Sequence, residues 1–140
     1  MDSLAEKYIY DSLSEHESST TFSLLGSNNI DEYVNKIINN AEVIFWTEKS
    51  EYCGFIAFYA NQNSRTQSFI TMVFVGTENR GKGIAKALID LVLSVSQARG
   101  FQHCCLSVHI NNETAKNIYT KMGFSEVSRD TQYVQMRSVI

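Results

Sequence analysis

The segment Val73-Phe-Val-Gly-Thr-Glu-Asn-Arg-Gly-Lys-Gly-Ile-Ala85 runs from a strand-like stretch into a helix-like one. Glycines there let backbone N–H groups approach a ligand closely. A helix start adds partial positive charge, and Arg80 and Lys82 add full charges. Together they describe an anion site, most naturally for phosphate. A glycine turn with solvated charges is the plain alternative. Downstream, Asn112, Ala115 and Tyr119 stand at i, i+3 and i+7 and so share one helical face. On the stretch 101–110, alternation puts His103, Cys105, Ser107 and His109 on one face of a strand. The cysteines, Cys53, Cys104 and Cys105, are three in number and two are adjacent. That is neither a disulfide framework nor zinc spacing. No metal is expected, and a reducing cytoplasm is the natural setting.

Three phosphate chemistries compete for the glycine loop. Gly76-Thr-Glu-Asn-Arg-Gly81-Lys82 matches seven positions of a Walker A loop, but Gly83 stands where a magnesium-binding Ser or Thr belongs. The dinucleotide fingerprint fits Gly81 and Gly83, but its third position is Lys86, too large for close helix–strand contact. The stretch ending near Val108 also lacks the acid that would hold a ribose. The third reading fits best. Arg80-x-x-Gly83-x-Ala85 resembles the Gln/Arg-x-x-Gly-x-Gly/Ala signature of the GNAT superfamily, the Gcn5-related N-acetyltransferases. Asn112-x-x-Ala115-x-x-x-Tyr119-x-Lys121-x-Gly123-Phe124 resembles that family's second pattern. Both occur in the right order, and the resemblance covers about residues 42–127.

The resemblance implies acetyl-coenzyme A as donor and a primary amine as acceptor. It implies a central, mostly antiparallel mixed sheet with a splayed parallel strand pair. The Val73 amide would polarise the acetyl carbonyl in an oxyanion-hole role. Phe74 and Val75 would border the pantetheine arm, with Val75 pairing to it. Backbone amides of Arg80, Gly81, Lys82, Gly83, Ile84 and Ala85 would wrap the pyrophosphate. Ala115 is small enough for the donor to lie against its helix. Tyr119 would then stand near the sulfur as a general acid, or serve only as a packing aromatic. Asn112 is a helix N-cap, a donor contact, or both. Several members carry a Glu as base four residues before the position of Val73. Here that residue is Phe69, so the base is open among His109, Glu51, Glu78 and a water relay. An acyl-cysteine route through Cys104 or Cys105 lacks an electropositive partner.

The elements that must position these residues follow from periodicity. Leu4, Tyr8, Ile9 and Leu13 make a weak helical stripe over 3–16. Residues 17–28 read as a loop, with a short strand at Thr21–Leu25. Ile30, Tyr33, Val34, Ile37 and Ile38 share a helical face. Strands are expected at Val43–Trp46, Cys53–Tyr59, Gln67–Val75, Cys104–Val108, Phe124–Val127 and Tyr133–Val139. Helices are expected from Gly83 to Arg99 and from Asn112 to Met122, closed by Gly100 and Gly123. This is an α/β or α+β order with one mixed sheet, and residues 1–140 make one domain. Exposure of Tyr133–Val139 as an edge ladder would offer a route to a homodimer.

Composition excludes much. Of 140 residues, 44 % are apolar and 19 % charged, which removes disordered and fibrous classes. The net charge of -3 disfavours nucleic acid. No apolar run approaches a membrane span, and MDSLAEKYIYDS lacks the features of a signal peptide. Among acceptors, a small molecule such as an amino sugar or its nucleotide leads. A protein lysine or N-terminal amine, and a non-catalytic acetyl-CoA-binding module, are the alternatives.

Overall fold

The periodicities become four helices and six strands in a computed structural model that describes residues 1–19, 29–61 and 66–140. The order is α1 (Ser3–Ser19), α2 (Ile30–Asn40), β1 (Glu42–Glu48), β2 (Glu51–Tyr59), β3 (Gln67–Val75), α3 (Ile84–Ala98), β4 (His103–His109), α4 (Glu113–Lys121), β5 (Ser125–Arg129) and β6 (Tyr133–Val139). One mixed sheet is ordered β1-β2-β3-β4-β6-β5, and only β3 and β4 run parallel. The helix α1 extends three residues into the stretch read as loop, and the strand expected at Thr21–Leu25 lies outside the described residues.

The stripe of α1 differs from the one expected. Leu4 is 70 % exposed, while Ala5, Ile9, Ser12 and Leu13 are buried. Residues three and four apart share a helix face, and Ala5 rather than Leu4 lies in line with Ile9 and Leu13. With Val34 and Ile37 of α2, Ile9 and Leu13 cover one side of the sheet over Phe55, Ala57, Met72 and Phe74. On the other side, Leu88, Ile89 and Val92 of α3 pack on Ile56, Phe58, Ile70, Cys104, Leu106 and Val108.

The sheet changes face inside β3. Ala57 pairs with Met72 and Phe58 with Ile70, so Thr71 is an extra residue, a β-bulge. Ile70 therefore packs toward α3 while Met72 packs toward α1 and α2. The Tyr33 hydroxyl donates to the Thr71 carbonyl at 3.3 Å. Parallel pairing with β4 ends at the same place, at Ile70 opposite Leu106. Beyond it β4 keeps pairing with β6 as far as His109 opposite Tyr133, and the two parallel strands part.

Two helices end alike. Phe101 N–H bonds Ser96 O and Gly100 N–H bonds Gln97 O, each at 3.0 Å. Phe124 N–H bonds Tyr119 O at 3.0 Å and Gly123 N–H bonds Thr120 O at 3.1 Å. Both are Schellman ends with glycine at positive φ, 89° at Gly100 and 99° at Gly123. Each is followed by a buried Phe.

The edge expected at Tyr133–Val139 is a correction. The strand β6 lies inside the sheet between β4 and β5, with both ladders occupied, so it offers no free edge for a second chain. The sheet edges are β1 and β5, and β5 carries a Glu126–Arg129 ion pair on its exposed surface.

Candidate active site

The parting of β3 and β4 opens two clefts that meet. The larger encloses about 660 Å³, within the range of ligand pockets. Its floor is the free half of β3, Val73, Phe74 and Val75. One wall is the glycine loop with Arg80, Gly81, Gly83, Ile84 and Ala85. The other is α4 with Ala115 and Tyr119. The side chains of Val73 and Val75 pack against the α3 core and Phe74 is buried toward α1, so this strand presents mainly backbone to the cleft.

The loop geometry is that of a backbone cradle. Gly81 and Gly83 have φ of 82° and 81°, a region other residues enter at a cost. A Cβ built on either meets no protein atom within 4 Å, so the space over both is open. Gly83 caps α3 without a side chain, leaving the first-turn N–H groups available. Arg80 Nε donates to Val75 O at 3.1 Å and closes the end of β3. Lys82 does not line the cleft. Its ammonium donates to Asn79 Oδ1 at 3.2 Å and lies 3.7 Å from Glu48. Lys86 and Lys121, neither of which was expected at the site, border the cleft with Arg80. The result is an open groove with N–H donors and cations toward one end, which suits a long ligand carrying phosphates.

The smaller cleft, about 110 Å³, lies between the separated ends of β3 and β4. Thr71, Ser107, His109, Asn112 and Tyr133 give it hydrogen-bonding groups, and none of its lining residues among those described is a carboxylate. Asn112 is an N-cap and a cleft residue at once: its Oδ1 accepts from Ala115 N–H at 3.2 Å. The two clefts share four lining residues, His16, Val73, Ala115 and Tyr119. These four mark the throat between them.

Tyr119 is held there by the end of α4. Its carbonyl takes the Schellman bond from Phe124 N–H, and the two rings meet edge to face at 6.1 Å. Burial raises its pKa above the ordinary phenol value, so the hydroxyl keeps its proton at neutral pH.

His109 sits at the C-terminal end of β4, in the small cleft. Its Nδ1 accepts from Asn111 N–H at 3.1 Å, and its ring meets Tyr133 edge to face. A neutral imidazole has one lone-pair nitrogen. With Nδ1 so engaged, Nε2 carries the hydrogen and acts as a donor. Glu51 and Glu78 line neither cleft. Burial pushes the Cys104 thiol up to about 11 and raises that of Cys105, so neither supplies a thiolate near neutral pH.

His16 escaped the sequence reading. The signal was present, because His16 continues the Ile9–Leu13 stripe at i+7 and i+3. A polar residue at an apolar position of a stripe points inward without joining the core.

The chain belongs to the acetyltransferase (GNAT) family, whose model matches residues 8–124. It is similar to N-alpha-acetyltransferase 30 of Schizosaccharomyces pombe, 32 % identical over 73 residues, which is 52 % of this chain and 49 % of that protein. It is also similar to L-2,4-diaminobutyric acid acetyltransferase of Chromohalobacter salexigens, 27 % identical over 76 residues, 54 % of this chain and 40 % of that protein. The chain thus spans about half or less of these curated relatives. The crystal structure of PaiA N-acetyltransferase from Thermoplasma acidophilum in complex with coenzyme A shares the fold, with a TM-score of 0.72 at 16 % identity over 97 % of this chain and 91 % of that one. The splayed pair β3 and β4, the glycine loop and α4 build the two clefts, and β3 and α4 meet at the throat with His16 of α1.

Proposed function

We propose that the chain transfers the acetyl group of acetyl-coenzyme A to a primary amine of a small molecule. The observation that carries this reading is the junction of the two clefts. A long groove with backbone donors and cations meets a small polar pocket at Val73, Ala115 and Tyr119. The free backbone of β3 would hold the pantetheine arm. The open space over Gly81 and Gly83 would receive the pyrophosphate, with the Val73 amide directed at the acetyl oxygen. A thioester so placed would have its carbonyl at the throat and its sulfur beside Tyr119. The Tyr119 hydroxyl would give its proton to the departing thiolate.

The small cleft bears on the acceptor. Its lining is rich in hydroxyl, amide and imidazole groups and holds no carboxylate among the described residues. That favours an amine on a hydroxylated body, such as an amino sugar or its nucleotide, over a polycation. A protein N-terminal amine is the second reading, supported by the likeness to N-alpha-acetyltransferase 30 over 73 residues. The test is an acceptor screen with mass detection of product, containing amino sugars, sugar nucleotides, amino acids, polyamines and short peptides with free N-termini. Acetylation of a small amine in preference to the peptides is the expected result. Preferential modification of the peptide N-termini would favour the second reading. Binding of acetyl-CoA with no acetylated product would leave a donor-binding module.

A further inference from the structure

We propose that His16 takes the proton from the acceptor amine, with Glu17 as the residue that positions it, an inference that rests on the acetyl-transfer reading. Two titratable side chains of the described residues border both clefts, Tyr119 and His16. They reach the throat from different elements, α4 and α1. His16 Nδ1 lies 3.1 Å from Glu17 Oε2, and that carboxylate is only 14 % exposed. A carboxylate accepts, so Nδ1–H donates to Glu17, and in the neutral ring that tautomer puts the lone pair on Nε2. His109 has the opposite arrangement, since its Nδ1 accepts from Asn111 N–H. The two imidazoles at the small cleft therefore differ in kind, one a proton acceptor at Nε2 and the other a donor.

The step balances. The amine nitrogen bonds to the acetyl carbon and loses one proton to His16 Nε2. The carbon–sulfur bond breaks, and the thiolate takes the Tyr119 proton. The imidazolium and phenolate left behind return to neutral by releasing one proton to water and taking one from it. The net change is amine plus thioester to amide plus thiol. Among the described residues, the titratable groups that line the small cleft with His16 are Tyr119 on α4, His109 on β4 and Tyr133 on β6, and Glu17 stands beside it on α1. Arg80, Lys86 and Lys121 lie farther along the donor groove.

Two measurements test this on the full chain. Long-range proton–nitrogen NMR should find His16 protonated at Nδ1 and His109 at Nε2, and E17Q should loosen the His16 preference alone. Kinetics should use the fastest acceptor from a panel of glucosamine, diaminobutyrate, spermidine and a short peptide with a free N-terminus. H16A should lose 100-fold or more in kcat/KM while acetyl-CoA affinity changes less than twofold. The pH profile of kcat/KM should change, and added imidazole should restore part of the rate. General acid–base catalysis supports an effect of about this size. His16 protonated at Nε2, or an H16A protein with the wild-type pH profile, would overturn the assignment. A wild-type protein that transfers to none of the panel would overturn the acetyl-transfer reading itself.

Discussion

Ile70 and Met72 are both buried, two residues apart on one strand, and they point to opposite sides of the sheet. The extra residue between them, Thr71, flips the alternation where β3 leaves β4. Without that flip, the side chain of Val73 would turn away from the α3 core and the free backbone of β3 would be aimed differently. The bulge thus couples packing on both faces of the sheet to the opening of the site.

The first prediction separates two glycines. Gly83→Ala places a Cβ in open space at a φ of 81°, so its stability cost is the left-handed backbone alone, about 1–2 kcal/mol. Its effect on acetyl-CoA should be large, at least tenfold weaker binding by calorimetry, because the methyl occupies the cradle. Gly54→Ala does the reverse. Its Cβ would stand 2.6 Å from Phe74 O, a clash in the sheet, so thermal stability should fall before any ligand is added. Unchanged affinity in a folded Gly83→Ala protein would remove the phosphate cradle from this loop.

The second concerns a buried polar pair. The Ser68 and Ser96 hydroxyls bond at 2.6 Å, and both residues are fully buried between β3 and α3. Ser96→Ala takes from Ser68 its 2.6 Å bond and leaves it weaker partners, His103 O at 3.5 Å and the Cys104 thiol. An unsatisfied buried hydroxyl costs about 1–3 kcal/mol. Urea unfolding should show that loss. The double change to Ala at both positions should cost less than the sum of the single ones, because neither hydroxyl is then stranded. Additive losses would contradict the pairing.

The third concerns acid stability. The Arg99 guanidinium holds Glu42 in a bidentate pair, with Nη2 to Oε1 at 2.8 Å, and lowers the Glu42 pKa. A carboxyl with a depressed folded pKa contributes stability above its unfolded value, about 4.3, and loses it as pH falls through the lower folded value. Both side chains are about two-fifths exposed, so solvent screening keeps the effect below about 1 kcal/mol. Glu42→Gln should therefore narrow the stability difference between pH 6 and pH 3 by a few tenths of a kcal/mol. An unchanged slope would show that the pair carries no net stabilisation.

Much of this was legible in the residues themselves. The extents of β3 and β6 follow from their apolar alternation, and the helix ends from Gly100 and Gly123. The open loop at the large cleft follows from Gly81 and Gly83 between a strand and a helix. What stayed hidden depends on partners distant in sequence. The alternation in β3 is unbroken through Thr71, so the change of face can be seen only in the register against β2. Likewise, nothing within Tyr133–Val139 says that β5 covers its outer side, because a strand's neighbour is a property of topology. Leu4 and Ala5 are neighbouring positions on α1, and Ala5, in line with Ile9 and Leu13, takes the buried place. His16 continues the Ile9–Leu13 stripe in the sequence, but only the opposite wall of the cleft, Val73, Ala115 and Tyr119, makes that position part of a site.

The last prediction concerns Tyr119. Its ring is pinned against Phe124 and its pKa is raised by burial, so it remains a neutral phenol over the pH range of a working enzyme. Tyr119→Phe keeps the ring, the edge-to-face contact and the backbone bond to Phe124, and removes only the hydroxyl. If that hydroxyl protonates the leaving thiolate, kcat and kcat/KM should fall together, because the interaction exists mainly in the transition state. General acid catalysis is worth about 100- to 10,000-fold. A coenzyme A thiolate is weakly basic and water can replace the phenol in part, which places the expected loss at the lower end. Acetyl-CoA affinity should stay within about twofold of wild type, since the hydroxyl makes no ground-state bond in this reading. Stopped-flow measurement of thiol release, beside calorimetry of donor binding, separates the cases. Weaker binding with unchanged kcat would make Tyr119 a donor contact, and wild-type values of both would end its role in proton transfer.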